Sequence, residues 1–439
     1  MSAPPRGRAS GVPPTQRSLT MKKITGRYTN ARIFADVVEQ AALEQIQTLC
    51  NQPFAEGSSI AVMPDVHAGT GCTIGTTMTI DPVHGKVCPN LVGVDIGCGM
   101  LVTELGRTDI DYAELDAVIR KLVPAGQNVH PLNIPTGYPE WEDRMLSKAR
   151  HEVDRFLCEL NTPINFDYEL ARLGTLGGGN HFIEIDKDEE GNKYLVIHSG
   201  SRHLGVQVCS HFMGVANANR LGSRERHEQE RKDLIANMRG AGRAREIAAT
   251  LIEFNKRFTP TAPSPLAYVE KDDLAYYLND MKLAQWFAQE NRALMADIIC
   301  IAMGWNPVAR WETVHNYIDI DEGILRKGAI SLRLGEKALI PISMKDGALI
   351  VSGKGNPDYN FSGPHGAGRL MGRAEAKSSL SMDEYRKEMK GVWTSSVSED
   401  TLDESPMAYK RIDDILPSLE PTADVLKHIL PVYSFKAEN

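Results

Sequence analysis

Apolar and polar positions along the chain recur with two periods. From residue 35 to 50 the apolar residues Val37, Val38, Ala41, Leu43, Ile46 and Leu49 keep helical spacing, which predicts a helix. Residues 59–63 and 73–80 are short strand-like runs, the second rich in β-branched side chains, and the loop between them carries Asp65 and His67. Residues 89–94 form an apolar run that reads as a buried strand. It ends in a glycine-broken turn, Val94-Asp95-Ile96-Gly97-Cys98-Gly99. Residues 108–122 and 141–160 read as amphipathic helices. Residues 182–185 and 194–198 alternate as strands, the first leaving a glycine cluster and the second entering a polar turn. The stretch 219–258 is charged and helix-compatible, and 273–303 is a long helical pattern with an apolar stripe that reads as core. Strand-like alternation returns at 314–318 and in short segments to about residue 352. The small residues Gly366, Ala367 and Gly368 read as the opening of a helix that runs to Lys377. No internal repeat and no interdomain linker stands out, so one large α+β domain over 21–439 is expected. Residues 1–20, rich in Pro, Arg, Ser and Gly, have almost nothing to bury and read as a disordered tail without the apolar core of a secretory signal.

Composition narrows the class. The 439 residues are 42% hydrophobic and 24% charged, the make-up of a soluble globular protein. No apolar run approaches the roughly 18 residues of a membrane span, so no membrane partner is expected. A net charge of −8 argues against a uniformly basic nucleic-acid coat but allows a local basic groove. The seven cysteines are an odd count without CxxC or zinc-finger spacing, which reads as reduced thiols in a cytoplasmic compartment. Arg220, Arg224, Arg226, Arg231, Arg239, Arg243 and Arg245 fall in the charged helical stretch. A solvated helical pair is the favoured interpretation there, with a surface for an RNA backbone as the alternative.

The candidate chemistry lies at the turns. Asp95, Cys98, His181, His198 and His315 all sit in or beside strand–turn junctions. Three imidazoles, a thiolate and a carboxylate satisfy one transition metal, or two if a ligand bridges. Thiolate and imidazole suit zinc, whereas carboxylate also suits manganese or magnesium. The spacing is long-range and leaves the metal open, and histidines that merely hydrogen-bond in the core are the plainer alternative. Gly366, Ala367 and Gly368 at a helix start would offer free N–H groups to an anion, and Gly177–Gly179 would do likewise. Neither matches a P-loop or a dinucleotide fingerprint. His365 beside them can serve as acid, base or nucleophile. As a nucleophile it would attack an α-phosphorus, with Lys436 or Arg369 neutralising the developing charge.

These residues resemble a known family. Met63-Pro64-Asp65-Val66-His67, Val94-Asp95-Ile96-Gly97-Cys98-Gly99, Gly179-Asn180-His181-Phe182-Ile183-Glu184, His198-Ser199-Gly200-Ser201-Arg202, His315-Asn316-Tyr317 and His365-Gly366-Ala367-Gly368-Arg369 are similar to the motifs of the RtcB family of GTP-dependent RNA ligases. The resemblance runs in order from about residue 23 to 437. It implies an α+β fold, one large domain of mixed and antiparallel sheets and helices around a central metal cleft. It implies GTP and two Mn2+ ions as cofactors. The partners it implies are RNA ends bearing a 3′-phosphate or 2′,3′-cyclic phosphate and a 5′-hydroxyl, as in tRNA splicing or RNA repair. It leaves room for an activating helper protein.

By position, Asp95, Cys98, His181, His198 and His315 would be metal ligands, Cys98 bridging the ions, and His365 the guanylylated nucleophile. Asn180, His181, Phe182, Ile183, Glu184, His315, Asn316, Pro341, Ile342, Ser343, Met344, His365, Gly366, Ala367, Gly368 and Lys436 would line the GTP site. Glu184 would meet the guanine edge and Tyr409 would lie against the base. The chain departs from the pattern at Ala348, where many members carry a serine, and at His203, where glycine is common. The alternatives are a metal-dependent RNA phosphodiesterase or nuclease, which would not need His365 beside a nucleotide pocket, and a non-catalytic RNA-binding protein.

Overall fold

The strand-like runs pair into two large sheets. This computed structural model describes residues 21–133, 139–243, 246–256 and 263–437, so the expected tail at 1–20 lies outside the described residues. One sheet has six strands in the order Lys22–Thr25, Asn30–Ile33, Ile60–His67, Ile74–Thr79, Ile324–Lys327, Asn316–Asp319. It is mixed, because Asn30–Ile33 runs parallel to Ile60–His67. The other has seven, Ala309–Val314, Gly99–Gly106, Lys193–Ser199, Phe182–Lys187, Ala423–Lys436, Gly347–Gly353, Lys337–Ser343. All its neighbours are antiparallel. The α+β class and its mixed and antiparallel sheets are thus as the resemblance implies.

Register explains why the motifs meet. Gly99 opposes both Ser199 and Val314, and Phe182 opposes both His198 and Lys436. Antiparallel pairing therefore brings two strand starts (Gly99, Phe182) and three strand ends (Ser199, Val314, Lys436) to one end of the sheet. Cys98, His181, His198 and His315 lie in or directly beside those termini. His315 is also where the chain crosses from the seven-stranded to the six-stranded sheet, which splits the expected strand at 314–318 in two.

The seven-stranded sheet is covered on both faces. Leu101, Ile183, Ile185, Leu195 and Ile197 join the main core together with the apolar stripe of helix Lys271–Ala302. Met100, Val102, Phe182, Val196, Leu339 and Ile350 form a second cluster on the other face. Ala348 belongs to this second cluster. The helices expected at 35–50, 108–122, 141–160 and 273–303 are present as Gln40–Cys50, Tyr112–Leu122, Glu140–Leu157 and Lys271–Ala302. The charged stretch is a helical pair, Arg202–Gly240 and Ile247–Lys256. Of its arginines, the side chains of Arg224 and Arg226 and all of Arg245 lie outside the described residues. No described helix is long and apolar enough to cross a membrane.

Three local expectations differ from the structure. The run 89–94 is not a strand. Pro89–Leu91 is a single 3-10 turn, because Pro89 has no N–H for a ladder and Leu91 and Val92 bond back to Cys88 and Pro89. The strand lies after the aspartate–cysteine turn, at Gly99–Gly106. The loop expected at 64–69 is instead mostly strand, since Ile60–His67 runs through Pro64 with its ladder interrupted between Val62 and His67. Gly366–Gly368 do not open a helix; the helix starts at Arg373. Two glycines in three residues are poor helix formers, and the Ala367 N–H is already donated to Pro341 O at 3.1 Å.

Candidate metal centre and nucleotide pocket

Cys98 Sγ lies 3.5 Å from His181 Nε2 and 3.3 Å from His198 Nε2. The three donor atoms are within 4.8 Å of one another. Asp95 Oδ2 joins them through His181 Nε2, at 3.1 Å. The backbone sets the ring orientation. His181 Nδ1 lies 3.0 Å from Leu176 O, and His198 Nδ1 lies 3.2 Å from Asn180 O. An N–H donated to a carbonyl leaves the opposite nitrogen with its lone pair, and in both rings that nitrogen faces the thiol. Arg202 Nη1 also lies 3.3 Å from His181 Nδ1. One nitrogen cannot donate to the carbonyl and accept from the guanidinium, and the shorter carbonyl contact favours the Nδ1–H tautomer. His315 donates its backbone N–H to Cys98 O at 3.0 Å, while its buried Nδ1 has no partner among the described residues.

The electrostatics suit a cation. Burial, and then the charges of neighbouring groups, hold His198 and His315 neutral well below the usual histidine range. Burial and the Asp95 charge push the Cys98 thiol well above its usual value. Burial opposes the ionisation of Asp95, but the neighbouring positive charges, Arg202 among them, outweigh it and hold the carboxyl at about 2. Neutral imidazoles, an ionised carboxylate and a thiol that only a nearby positive charge would deprotonate make a donor set that fits a transition metal.

Helix Lys271–Ala302 braces the ligand loops from behind. Buried Arg292 donates to Gly97 O at 2.8 Å and Ser199 O at 2.9 Å and pairs with Glu312 at 2.8 Å. Its neighbour Asn291 accepts from the N–H groups of Gly174 and Thr175 and donates to Gly200 O. The loops come close enough to exclude side chains. A Cβ on Gly97, whose φ is +70°, would meet Gln285 Cα at 2.8 Å, and one on Gly200 would meet Asp95 Oδ1 at 2.0 Å.

Next to the cluster lies a cavity of about 340 Å³. Its walls include Asn180, Phe182, Glu184, His198, His315, residues 341–344, residues 365–368, Tyr409 and Lys436. Three residues expected at the nucleotide are placed elsewhere. His181 faces Cys98, and Ile183 points by strand alternation into the main core. Asn316 staples the backbone, its side chain bonded to Asp95 O and Gly328 N. Glu184 takes a hydrogen bond from Ser434 at 2.8 Å, and burial raises its carboxyl to about 7 against the pull of Ser434 and Lys436.

His365 stands on the cavity wall. Its Nδ1 is 2.6 Å from Asp65 Oδ2, an ion-pair distance outside hydrogen-bond geometry, and the same oxygen accepts its backbone N–H at 3.0 Å. The rings form a row: His365 to His315 at 5.0 Å, His315 to His198 at 5.3 Å, and His198 to His181 at 5.2 Å between centroids.

Sequence reasoning missed Glu404. This buried carboxylate accepts from Lys436 at 2.7 Å and Tyr409 at 2.8 Å and pairs with Arg369 at 3.2 Å and Arg373 at 2.6 Å. Lys436 and Arg369 therefore share one counter-ion rather than standing as bare cations. No motif marks Glu404; only the approach of Lys436, Arg369 and Arg373 from other segments, with nearby Tyr409, does. Burial opposes its ionisation, yet Lys436 and Arg373 outweigh burial and hold the carboxyl at about 2. Because that value lies below the unfolded one, the stabilisation is complete above pH ~4.5 and fades as pH falls toward 2. Glu404→Gln is expected to cost about 3 kcal/mol in urea denaturation at pH 7, with the gap to the parent roughly halved near pH 3 and closed near pH 2. A constant gap across that range would show that charge is not what Glu404 supplies.

A family model described as tRNA-splicing ligase RtcB matches residues 45–437. The chain is 32% identical over 432 residues to the RNA-splicing ligase RtcB of Escherichia coli strain K12, covering 91% of this chain and 95% of that protein. It is 26% identical over 458 residues to the tRNA-splicing ligase RtcB of Archaeoglobus fulgidus, covering 88% of each. To the tRNA-splicing ligase RtcB of Thermococcus kodakarensis it is 24% identical, over 90% of each chain.

Proposed function

The chain belongs to the RtcB ligase family, and on that footing we propose that it is a GTP- and Mn2+-dependent RNA ligase. It joins an RNA 3′-phosphate or 2′,3′-cyclic phosphate to a 5′-hydroxyl end through a histidine–GMP intermediate. Asp95, Cys98, His181, His198 and His315 would hold the two ions. When bound, such ions lower the pKa of a hydroxyl or water and offset charge on phosphoryl oxygens.

The protein groups account for the order of events. Asp65 accepts the His365 backbone N–H and faces its Nδ1, leaving Nε2 to attack the α-phosphorus of GTP. An N–P bond forms, the bond from that phosphorus to the bridging oxygen breaks, and pyrophosphate leaves. An oxygen of the RNA 3′-phosphate, freed by water if it was cyclic, then displaces the histidine and takes the GMP. The 5′-hydroxyl attacks the activated RNA phosphorus, its proton is lost, and GMP departs. Glu184, when ionised, is suited to accept from the adjacent N–H donors of a guanine edge. Glu404 fixes Lys436, Arg369 and Tyr409 around the rest of the nucleotide.

The observation that carries this proposal is the unbroken row from Asp95 to His365, which sets a metal-type cluster against a nucleotide-sized cavity. A metal-dependent nuclease would have no use for the His365–Asp65 pair. The test supplies GTP, Mn2+ and two RNA strands, one ending in 3′-phosphate and the other starting with 5′-hydroxyl. A joined product that requires both GTP and the 3′-phosphate is expected. Strand cleavage without joining, over a range of divalent metals, would sink the ligase in favour of the nuclease.

A further inference from the structure

The row of rings gives the centre a direction, and its two ends open differently. The nucleotide cavity reaches His198, His315 and His365 but not Asp95, Cys98 or His181. At the other end the Asp95 side chain is 31% exposed, and Val94, beside it in sequence, is exposed too. Activated 3′-phosphate belongs at the His365 end. The attacking 5′-hydroxyl strand therefore approaches over Asp95.

An aromatic platform stands beside that approach. Arg202 begins its helix with φ of +56°, a left-handed conformation that is costly for a non-glycine residue and marks a site held in place by its surroundings. Its guanidinium reaches His181, while the next residue, His203, touches Tyr168 edge-on at 4.9 Å. Tyr168 is 42% exposed, and Phe166 on the same short helix is 38% exposed. The Arg172 guanidinium lies 4.0 Å from the Tyr168 ring centroid and donates to its hydroxyl. His203 is itself held by Glu169, at 2.7 Å, and by the Gln207 amide. Three groups that carry or can take positive charge, Arg172, Arg202 and His203, surround one buried carboxylate. An aromatic ring clamped by a guanidinium and an imidazole, with much of its surface still open, is preformed for a nucleobase.

We propose that Tyr168, backed by Arg172 and His203, is a base-stacking subsite for the 5′-hydroxyl RNA strand, a role that rests on the ligase function above. The clamp uses His203, the position at which this chain departs from the common glycine, so the subsite is a property of this chain's own sequence. Stacking takes any base, so it holds the strand without selecting its sequence.

The test measures ligation at saturating GTP with the wild type, Tyr168→Ala and Tyr168→Phe. The 5′-hydroxyl strands carry an abasic nucleotide at each of the first three positions in turn. Tyr168→Ala is expected to raise KM for this strand about tenfold, and Tyr168→Phe to restore most of it. One abasic position should cost the wild type a similar factor and cost Tyr168→Ala nothing more. Labelling of His365 by GTP, which needs no RNA, should stay at the wild-type level in both variants. An unchanged KM in Tyr168→Ala overturns the subsite. Abasic penalties that multiply with the Tyr168→Ala defect do so too, as does a matching loss of His365 labelling, which would mark a folding role. A wild type that takes no GMP label fails at the ligase function instead, and the subsite falls with it.

Discussion

Alanine at position 365 is expected to abolish covalent labelling of the protein by α-labelled GTP and to lower ligation by a factor on the order of 10³ or more. In the proposed mechanism this imidazole attacks phosphorus; it stands on the cavity wall with Nδ1 facing Asp65 at 2.6 Å. The label on the wild type should be acid-labile and base-stable, as a phosphorus–nitrogen bond to histidine is. The variant should still fold. Asp65 keeps the backbone N–H of residue 365, at 3.0 Å, and the neighbouring Ala367 N–H stays clipped to Pro341 O. Circular dichroism and thermal unfolding like those of the parent, with no label, is the expected pair of results. Label that persists on the alanine variant would move the nucleophile to another residue and remove the central claim of the mechanism.

Cys98→Ala is expected to empty the metal centre. Its Sγ faces Nε2 of both His181 and His198, at 3.5 and 3.3 Å, so its loss removes a candidate donor from the middle of the cluster. Mn2+ affinity by equilibrium dialysis should fall at least about a hundredfold, more than the effect usual for losing a group one bond further out. GMP labelling should fall with it. Cys98 is buried and small, and truncating it to alanine leaves little empty space, so the stability cost should be about 1 kcal/mol. Loss of metal without loss of fold is thus the expected pattern. An unchanged Mn2+ stoichiometry would take Cys98 out of the bridging role, whatever happened to activity.

Much of the site could be read from the chain because its chemistry is carried by whole motifs. Asp95 and Cys98 share one turn, and Asn180 and His181 precede a strand whose alternation is visible. The misassigned elements share a cause. Residues 89–94 looked like a strand because they are apolar, and apolarity reports burial rather than backbone conformation; Pro89 and a local turn settle the latter. Gly366–Gly368 looked like a helix start because small residues occur there, but the Pro341 carbonyl on another strand takes the N–H that a helix start would leave free.

Residue pattern was enough for the fold class, most helices and the family, and it named most of the side chains that meet in the cluster and the cavity, because each depends on local periodicity or on an ordered set of motifs. Folding alone decided which of those side chains meet. Antiparallel register puts Gly99, Ser199, Phe182, Val314 and Lys436 at one sheet end, and no local rule encodes a pairing between strands more than 200 residues apart. It also decided that Glu404 gathers Lys436, Arg369, Arg373 and Tyr409, that Asp65 holds His365, and that Asn291 and Arg292 brace the ligand loops. Most of these are polar contacts between distant segments, each with at least one buried partner. Burial makes an unpaired charge or donor costly enough that the whole fold must converge to satisfy it.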